Sequence, residues 1–240
     1  MLASSFLRCL KELQDYLAPR SCAICRQTLI SPESILCSHC ATQLFHSRPA
    51  DDRDSLTARL FWGSGPIVRG GVLLTYRGES PASQLLVNVK YRHKAQTCQL
   101  LGRALAGFFQ PRRFFEGVDL ILPVPLSDER LRQRGYNQSG EMARGMARAT
   151  GIAVEEKAVL RVRDNRSQTR LSSSERHRNM EGAFRVVHPE RLDGRHLLIL
   201  DDVITTGATV SELIRTIHAC APRCTFSILA LARGGHQGVS

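Results

Sequence analysis

Four apolar runs stand out along the chain: Val68–Tyr76 with its VLLTY, Val118–Val124 (VDLILPV), His196–Leu200 (HLLIL) and Cys224–Leu231 (CTFSILAL). Apolar runs this short, bounded by turn residues, fit strands buried on both faces of a parallel sheet. Between them the apolar spacing turns helical. Leu85, Leu86 and Val89 place a helix over Ser83–Tyr91, and further helices are predicted near Gln99–Phe109, Asn137–Ala149 and Val210–Ala219. Strands alternating with helices predict an α/β fold around a parallel sheet. Ahead of this pattern, Phe6, Leu7, Leu10, Leu13 and Leu17 share one face of a short helix that Pro19 would end. From His46 to about Gly65 the chain is polar, then Gly-rich, and reads as a linker. The boundary is expected near residue 60, giving an N-terminal module over 1–60 and a larger domain over 61–240.

Composition changes the picture in two ways. A formal net charge of +11 and a pI near 9.8 favour anionic partners, either a phosphate ligand or nucleic acid, and charge alone does not separate them. No run reaches the roughly 18 apolar residues of a membrane span. Lys11, Glu12 and Asp15 interrupt any secretory core, so no export signal is expected. Half of the eight cysteines sit in one cluster instead of a dispersed disulfide framework, which points to a reducing, cytoplasmic setting.

That cluster is Cys22-Ala-Ile-Cys25 and Cys37-Ser-His-Cys40, two CxxC pairs separated by eleven residues. Each pair can present two thiolates from a tight knuckle, and two knuckles complete a tetrahedral site for a structural zinc ion. A redox dithiol is the alternative, disfavoured by two matched pairs lying outside any βαβ pattern. His39 could replace one sulfur, but four cysteines already fill the site.

The densest chemistry follows the His196–Leu200 strand. Asp201 and Asp202 are expected where that strand ends, then Thr205, Thr206, Gly207, Ala208 and Thr209 lead into a helix. A turn this small lets backbone N–H groups converge on an anion, and the helix N-terminus adds positive potential. Gly207 permits the tight turn. Paired carboxylates would repel phosphate but suit sugar hydroxyls or a hydrated magnesium ion. A ligand with a phosphate at one end and a diol beside it satisfies both, and ribose 5-phosphate is such a ligand. The strand at Val118–Val124 runs into the loop SDERLRQRGYNQ, with Arg130, Arg132 and Arg134 before Gly135. Lys90-Tyr-Arg-His-Lys94 is a basic cluster at a helix end, either a solvated terminus or a rim facing a polyanion. Leu160–Phe184 carries six arginines, among them Arg166, Arg170 and Arg176, and reads as a mobile loop or a basic surface loop.

LILDDVITTGAT at Leu198–Thr209 resembles the phosphoribosyl-pyrophosphate (PRPP) motif of type I phosphoribosyltransferases. Together with CAIC/CSHC, VKYRHK, LPVPLSDERLRQRGYNQ and RDNRSQTRLSSSERHRNMEGAF, in that family's order, it identifies the chain as similar to the ComF/GntX family. The resemblance implies a type I phosphoribosyltransferase-like parallel-sheet core with a small N-terminal zinc-binding module. It further implies Asp201 and Asp202 on the ribose diol, with Thr205 to Thr209 on the 5-phosphate. Arg134, Gly135 and Lys90 would serve the pyrophosphate, with magnesium, and Arg166, Arg170 and Arg176 would belong to a closing loop. Family members are associated with DNA uptake in natural competence or with the use of external DNA. Single-stranded DNA and competence or DNA-processing proteins are therefore expected partners. A glutaminase half would want a cysteine at a processed N-terminus, whereas Leu2 follows Met1 and Cys9 has no supporting context.

Overall fold

The computed structural model describes residues 21–29, 35–44, 55–76, 78, 80–91, 95–163 and 180–234. Its helices are α1 (Ser38–Leu44), α2 (Leu56–Arg59), α3 (Pro81–Tyr91), α4 (Ala95–Phe109), α5 (Asp128–Arg134), α6 (Gln138–Thr150) and α7 (Ala208–Cys220). Its strands are β1 (Ile67–Tyr76), β2 (Leu120–Pro123), β3 (Ala153–Val154), β4 (Val159–Arg161), β5 (Phe184–Val186), β6 (His196–Ile204) and β7 (Thr225–Gly234). The N-terminal helix expected over Phe6–Leu17 lies outside the described residues.

The four apolar runs become β1, β7, β6 and β2 of a five-stranded sheet ordered β1-β7-β6-β2-β3, with every pairing parallel. Leu197, Leu198, Ile199 and Leu200 are all fully buried, as a strand sandwiched between helical layers must be. Alternation along the strand divides them. Leu198 and Leu200 pack with Leu101, Leu105, Met142 and Met146 of α4 and α6. Leu197 and Ile199 pack with Leu213, Ile214 and Ile217 of α7 on the other face. Burying one such side chain stabilises the fold by about 1.5–3 kcal/mol.

Two helical glycines set the spacing on the first face. A Cβ on Gly102 would overlap the Met142 carbonyl oxygen, and one on Gly145 would overlap that of Gln99. α4 and α6 therefore cross with their backbones in contact. On the second face α2 lies against β1: Ser55 caps it, accepting from the Ala58 N–H at 3.0 Å and donating to the Gly70 carbonyl at 2.6 Å.

The connections also decide where a ligand can sit. From β2 the chain winds outward to β3, whereas from β6 it winds the opposite way to β7. β2 and β6 are neighbours, so the loops leaving their carboxyl ends part from each other and open a crevice. Ligands on open α/β sheets bind at such a switch point.

Three elements differ from expectation, the first being α2, a capped helix packed on β1 within the stretch expected as a linker. SDERLRQRGYNQ is expected as a basic loop, yet Asp128–Arg134 within it is helical. Ser127 caps it by accepting from the Arg130 N–H at 3.3 Å, acids fill its first turn, and Gly135 ends it at φ 78°. The ends of the Leu160–Phe184 segment are also ordered. β4 and β5 pair antiparallel in a separate two-stranded sheet, Val159 with Val186 and Arg161 with Phe184, forming a stem at the two ends of that segment.

Candidate functional site

One wall of the crevice is the end of β6. β2 stops pairing at Pro123, opposite Leu200, and Val124 N–H donates a last bond to the Leu200 carbonyl at 2.9 Å. β6 continues against β7 as far as Ile204, opposite Arg233. Asp201 and Asp202 thus lie inside the strand, not after it as expected. The ladder to β7 outlasts the ladder to β2, so Asp201–Ile204 runs past the last β2 pairing on the crevice side. Both aspartates are half-buried. Ser139 Oγ donates to Asp201 Oδ1 at 3.4 Å, and the Asp202 N–H donates to the same oxygen at 2.9 Å. Asp202 is close enough to Cys98 to act on it. Burial first, with the charges of Asp202 and Glu141 added, pushes the Cys98 thiol up to about 12.

The turn follows at once. Thr205 is exposed, Thr206 is buried with its Oγ1 accepting from the Ala208 N–H at 3.5 Å, and Gly207 takes φ 78° as the cap of α7. A Cβ at Gly207 would stand 2.9 Å from both Leu60 Cδ2 and Phe61 Cε1. Glycine is required here twice over, by conformation and by space. α7 starts at the carboxyl end of β6, so its positive end and the N–H groups of Ala208 and Thr209 lie where an anion would be held.

The second wall comes from the chain after β2. Asn137 Nδ2 donates to the Val124 carbonyl at 3.1 Å, tying the end of this loop to its start. Arg134 Nη1 donates to Gln138 Oε1 at 3.2 Å. Gln138 itself is 2% exposed, and its Nε2 has no hydrogen-bond partner, a donor the fold leaves unsatisfied. A cleft of about 920 Å³ flanks this wall, running between the loop and the β4–β5 stem past Pro125, Leu131, Gly135, Tyr136, Leu160 and Arg185. The aspartates do not line it. Lys90 is in the last turn of α3 with its side chain outside the described residues, and Arg166, Arg170 and Arg176 also lie outside them.

Sequence reasoning missed Ser139, Asn137 and Gln138. The available signal was a run of three polar side chains one residue past a basic segment and Gly135, at the head of a predicted helix.

A separate centre forms at the other end of the chain. The sulfurs of Cys22, Cys25, Cys37 and Cys40 lie within 4.8 Å of one another. Cys25 and Cys37 stand 3.7 Å apart, against about 3.8 Å for the edge of a tetrahedron with zinc–sulfur bonds of about 2.3 Å. Ile24 N–H donates to Cys22 Sγ and Cys40 N–H to Cys37 Sγ, both at 3.5 Å, so each knuckle turns backbone donors toward a sulfur. Arg26, at φ 66°, closes the first knuckle with its N–H on the Cys22 carbonyl at 3.0 Å. Burial pushes the Cys22 thiol up, but backbone N–H donors from Cys37, Ile24 and Cys25 outweigh it and bring it down to about 6. Burial and the three neighbouring sulfurs push Cys40 far up. A bound dication would relieve this competition for negative charge. The donor set and spacing fit zinc, and His39 is exposed and outside the cluster.

No protein-family model matches the chain. It is 30% identical over 211 residues to the DNA utilization protein YhgH of Salmonella typhi, covering 83% of this chain and 91% of that relative. The chain belongs to the ComF/GntX family. A second family member, Competence protein F of Haemophilus influenzae, is 34% identical over 141 residues, covering 57% of this chain and 62% of its own. Among solved structures, glutamine PRPP amidotransferase from B. subtilis is similar at 22% identity and a TM-score of 0.36, over 57% of this chain and 26% of that one. A likeness that loose carries no weight, and the fold assignment rests on the family's relatives and on the parallel sheet. Among the described residues, no helix is long and apolar enough to cross a membrane.

Proposed function

We propose that this chain binds PRPP across the crevice between β6 and β2, as a phosphoribosyltransferase-like protein working in the uptake or use of DNA. One observation carries the reading. An acidic pair and a glycine-tight turn lie toward the carboxyl end of β6 at the sheet's switch point, and the chain after β2, which carries Arg134 and Gln138, reaches Asp201 through Ser139.

In this reading the N–H groups of Ala208 and Thr209, with the Thr205 hydroxyl, hold the 5-phosphate. Asp201 and Asp202 accept from the ribose hydroxyls, Ser139 keeping Asp201 oriented. Arg134 and the unsatisfied Gln138 amide approach the pyrophosphate, and Lys90 with the arginines of the 164–179 segment would add charge to it. Magnesium, when bound with PRPP, supplies further neutralisation of the pyrophosphate. Any transfer would pass through a cation-like anomeric carbon, for which the chain offers fixed charges and positioning. The names of the two relatives support a role with DNA, and the reducing cytoplasm suits the four thiols.

Calorimetry with PRPP and magnesium tests this directly. Wild type is expected to bind, and Asp201→Asn with Asp202→Asn to weaken binding at least about tenfold, the loss of charge-assisted hydrogen bonds from two carboxylates. Equal affinity in a variant with unchanged melting would overturn the reading.

A second reading, direct contact with single-stranded DNA, is favoured by the exposed Trp62 beneath Arg59.

A further inference from the structure

Trp62, the chain's single tryptophan, is 58% exposed, although large aromatics usually bury most of their surface. It is not a loosely held side chain on a loop tip. Phe61 before it is fully buried, and Ser64 after it is buried with its N–H on the Phe61 carbonyl at 3.0 Å. The Trp62 N–H is bonded to the Arg59 carbonyl at 3.2 Å. α2 behind it is pressed so closely onto β1 that a Cβ on Gly70 would overlap the Ala58 backbone. The fold therefore spends two buried neighbours and a capped helical turn on holding one indole in solvent.

Arg59 lies with its guanidinium 5.5 Å from the centre of that ring. It is exposed and forms no ion pair with a described carboxylate. Leu60 and Phe61, between the two residues, are the side chains that touch the Gly207 turn. The aromatic face, the guanidinium and the Gly207 turn are thus brought close together by one short segment of a chain with net charge +11.

We infer that Arg59 and Trp62 form a stacking platform for an unpaired base of single-stranded nucleic acid, the base lying on the indole and an adjacent phosphate meeting the guanidinium. Single-strand sites combine these two elements, because every base has a π-face and every nucleotide a phosphate. Duplex DNA keeps its bases stacked on each other and offers the platform only its backbone. The inference rests on the second reading above and gives it a location.

The lone tryptophan makes the test specific. The full-length, metal-loaded protein is titrated with oligodeoxythymidylate, following Trp62 emission and, in parallel, the anisotropy of a labelled copy of the same oligonucleotide. Binding is expected to quench Trp62, and a duplex of equal length is expected not to. Trp62→Ala should weaken binding about tenfold while Trp62→Phe keeps most of it. Arg59→Ala should reduce the salt dependence by about one phosphate contact. Since both side chains are exposed, melting should be unchanged in all three variants. If the oligonucleotide binds by anisotropy but leaves the emission and the Trp62→Ala affinity unchanged, the platform is wrong and DNA contact lies elsewhere. If nothing binds at low salt, the DNA reading itself falls, and the inference with it.

Discussion

Gly207 concentrates two constraints in one residue. Its φ of 78° would cost an L-residue about 1–2 kcal/mol, and a methyl group there would press on Leu60 and Phe61. Gly207→Ala is expected to lower the melting temperature by several degrees and to weaken PRPP binding more than this loss of stability explains, since the turn itself must move. Calorimetry below the variant's melting range checks this, and unchanged affinity would separate the turn from the ligand. His196 makes a different prediction. Its Nε2 lies 2.8 Å from the Oγ of the fully buried Ser227, and the residue's backbone N–H donates to Asp119 Oδ2 at 2.8 Å. Burial first, then the charge of Arg69, holds the imidazole below its ordinary value, with Asp119 opposing. A depressed folded-state value favours the neutral ring in the fold. Its contribution is therefore full above about pH 6.5 and is lost as pH falls below it, where the unfolded chain takes up a proton first. Urea unfolding is expected to show stability declining from about pH 7 to pH 5, and His196→Gln to flatten that limb.

Element by element, the chain was legible where pattern and period coincide. The four apolar runs became four of the five strands of the parallel sheet, and the helices over Ser83–Tyr91, Gln99–Phe109, Asn137–Ala149 and Val210–Ala219 appear with ends shifted by at most four residues. The misreadings have physical causes. α5 was obscured by prolines at positions 123 and 125, although Ser127, Asp128, Glu129 and Gly135 form a complete set of start and stop signals. β3 has two residues and no periodicity to read. The true end of β6 depended on its partners: its pairing with β7 runs to Arg233 while that with β2 stops at Pro123, a difference no local window contains. The glycine crossing was equally hidden, since Gly102 and Gly145 look like mere weaknesses in a helix. They are contact points. Gly145→Ala improves helix propensity by about 1 kcal/mol in isolation, yet is expected to destabilise the protein by about 1–3 kcal/mol because α6 must leave the Gln99 carbonyl. Chemical denaturation decides the sign, and a stabilised variant would refute the tight crossing.

At the scale of the whole molecule, the four-cysteine cluster is joined to the same apolar core as the sheet. Cys22, Ile24, Leu29, Cys37 and Cys40 are buried with Leu85 and Leu86 of α3 and Leu101 of α4. The module therefore covers α3, whose last turn holds Lys90, and its integrity bears on the crevice through that helix. Without an ion, four sulfurs this close compete for charge, as the opposed shifts at Cys22 and Cys40 show. Zinc held by four thiolates would resolve that competition and contribute its binding energy to folding. Purified protein is expected to carry one zinc ion per chain. A strong chelator at neutral pH should release it, lower the melting temperature and expose apolar surface to a hydrophobic dye. Far-ultraviolet circular dichroism should keep most of its amplitude, since the sheet's central strands do not depend on the metal. Cys40→Ser should reproduce the loss without chelator. Acidification should do so as well, because protons and zinc contend for the same sulfurs. PRPP affinity in the metal-free protein then measures how far α3 transmits the damage: a drop would tie the two centres together, and unchanged affinity would show that the crevice stands on the sheet alone.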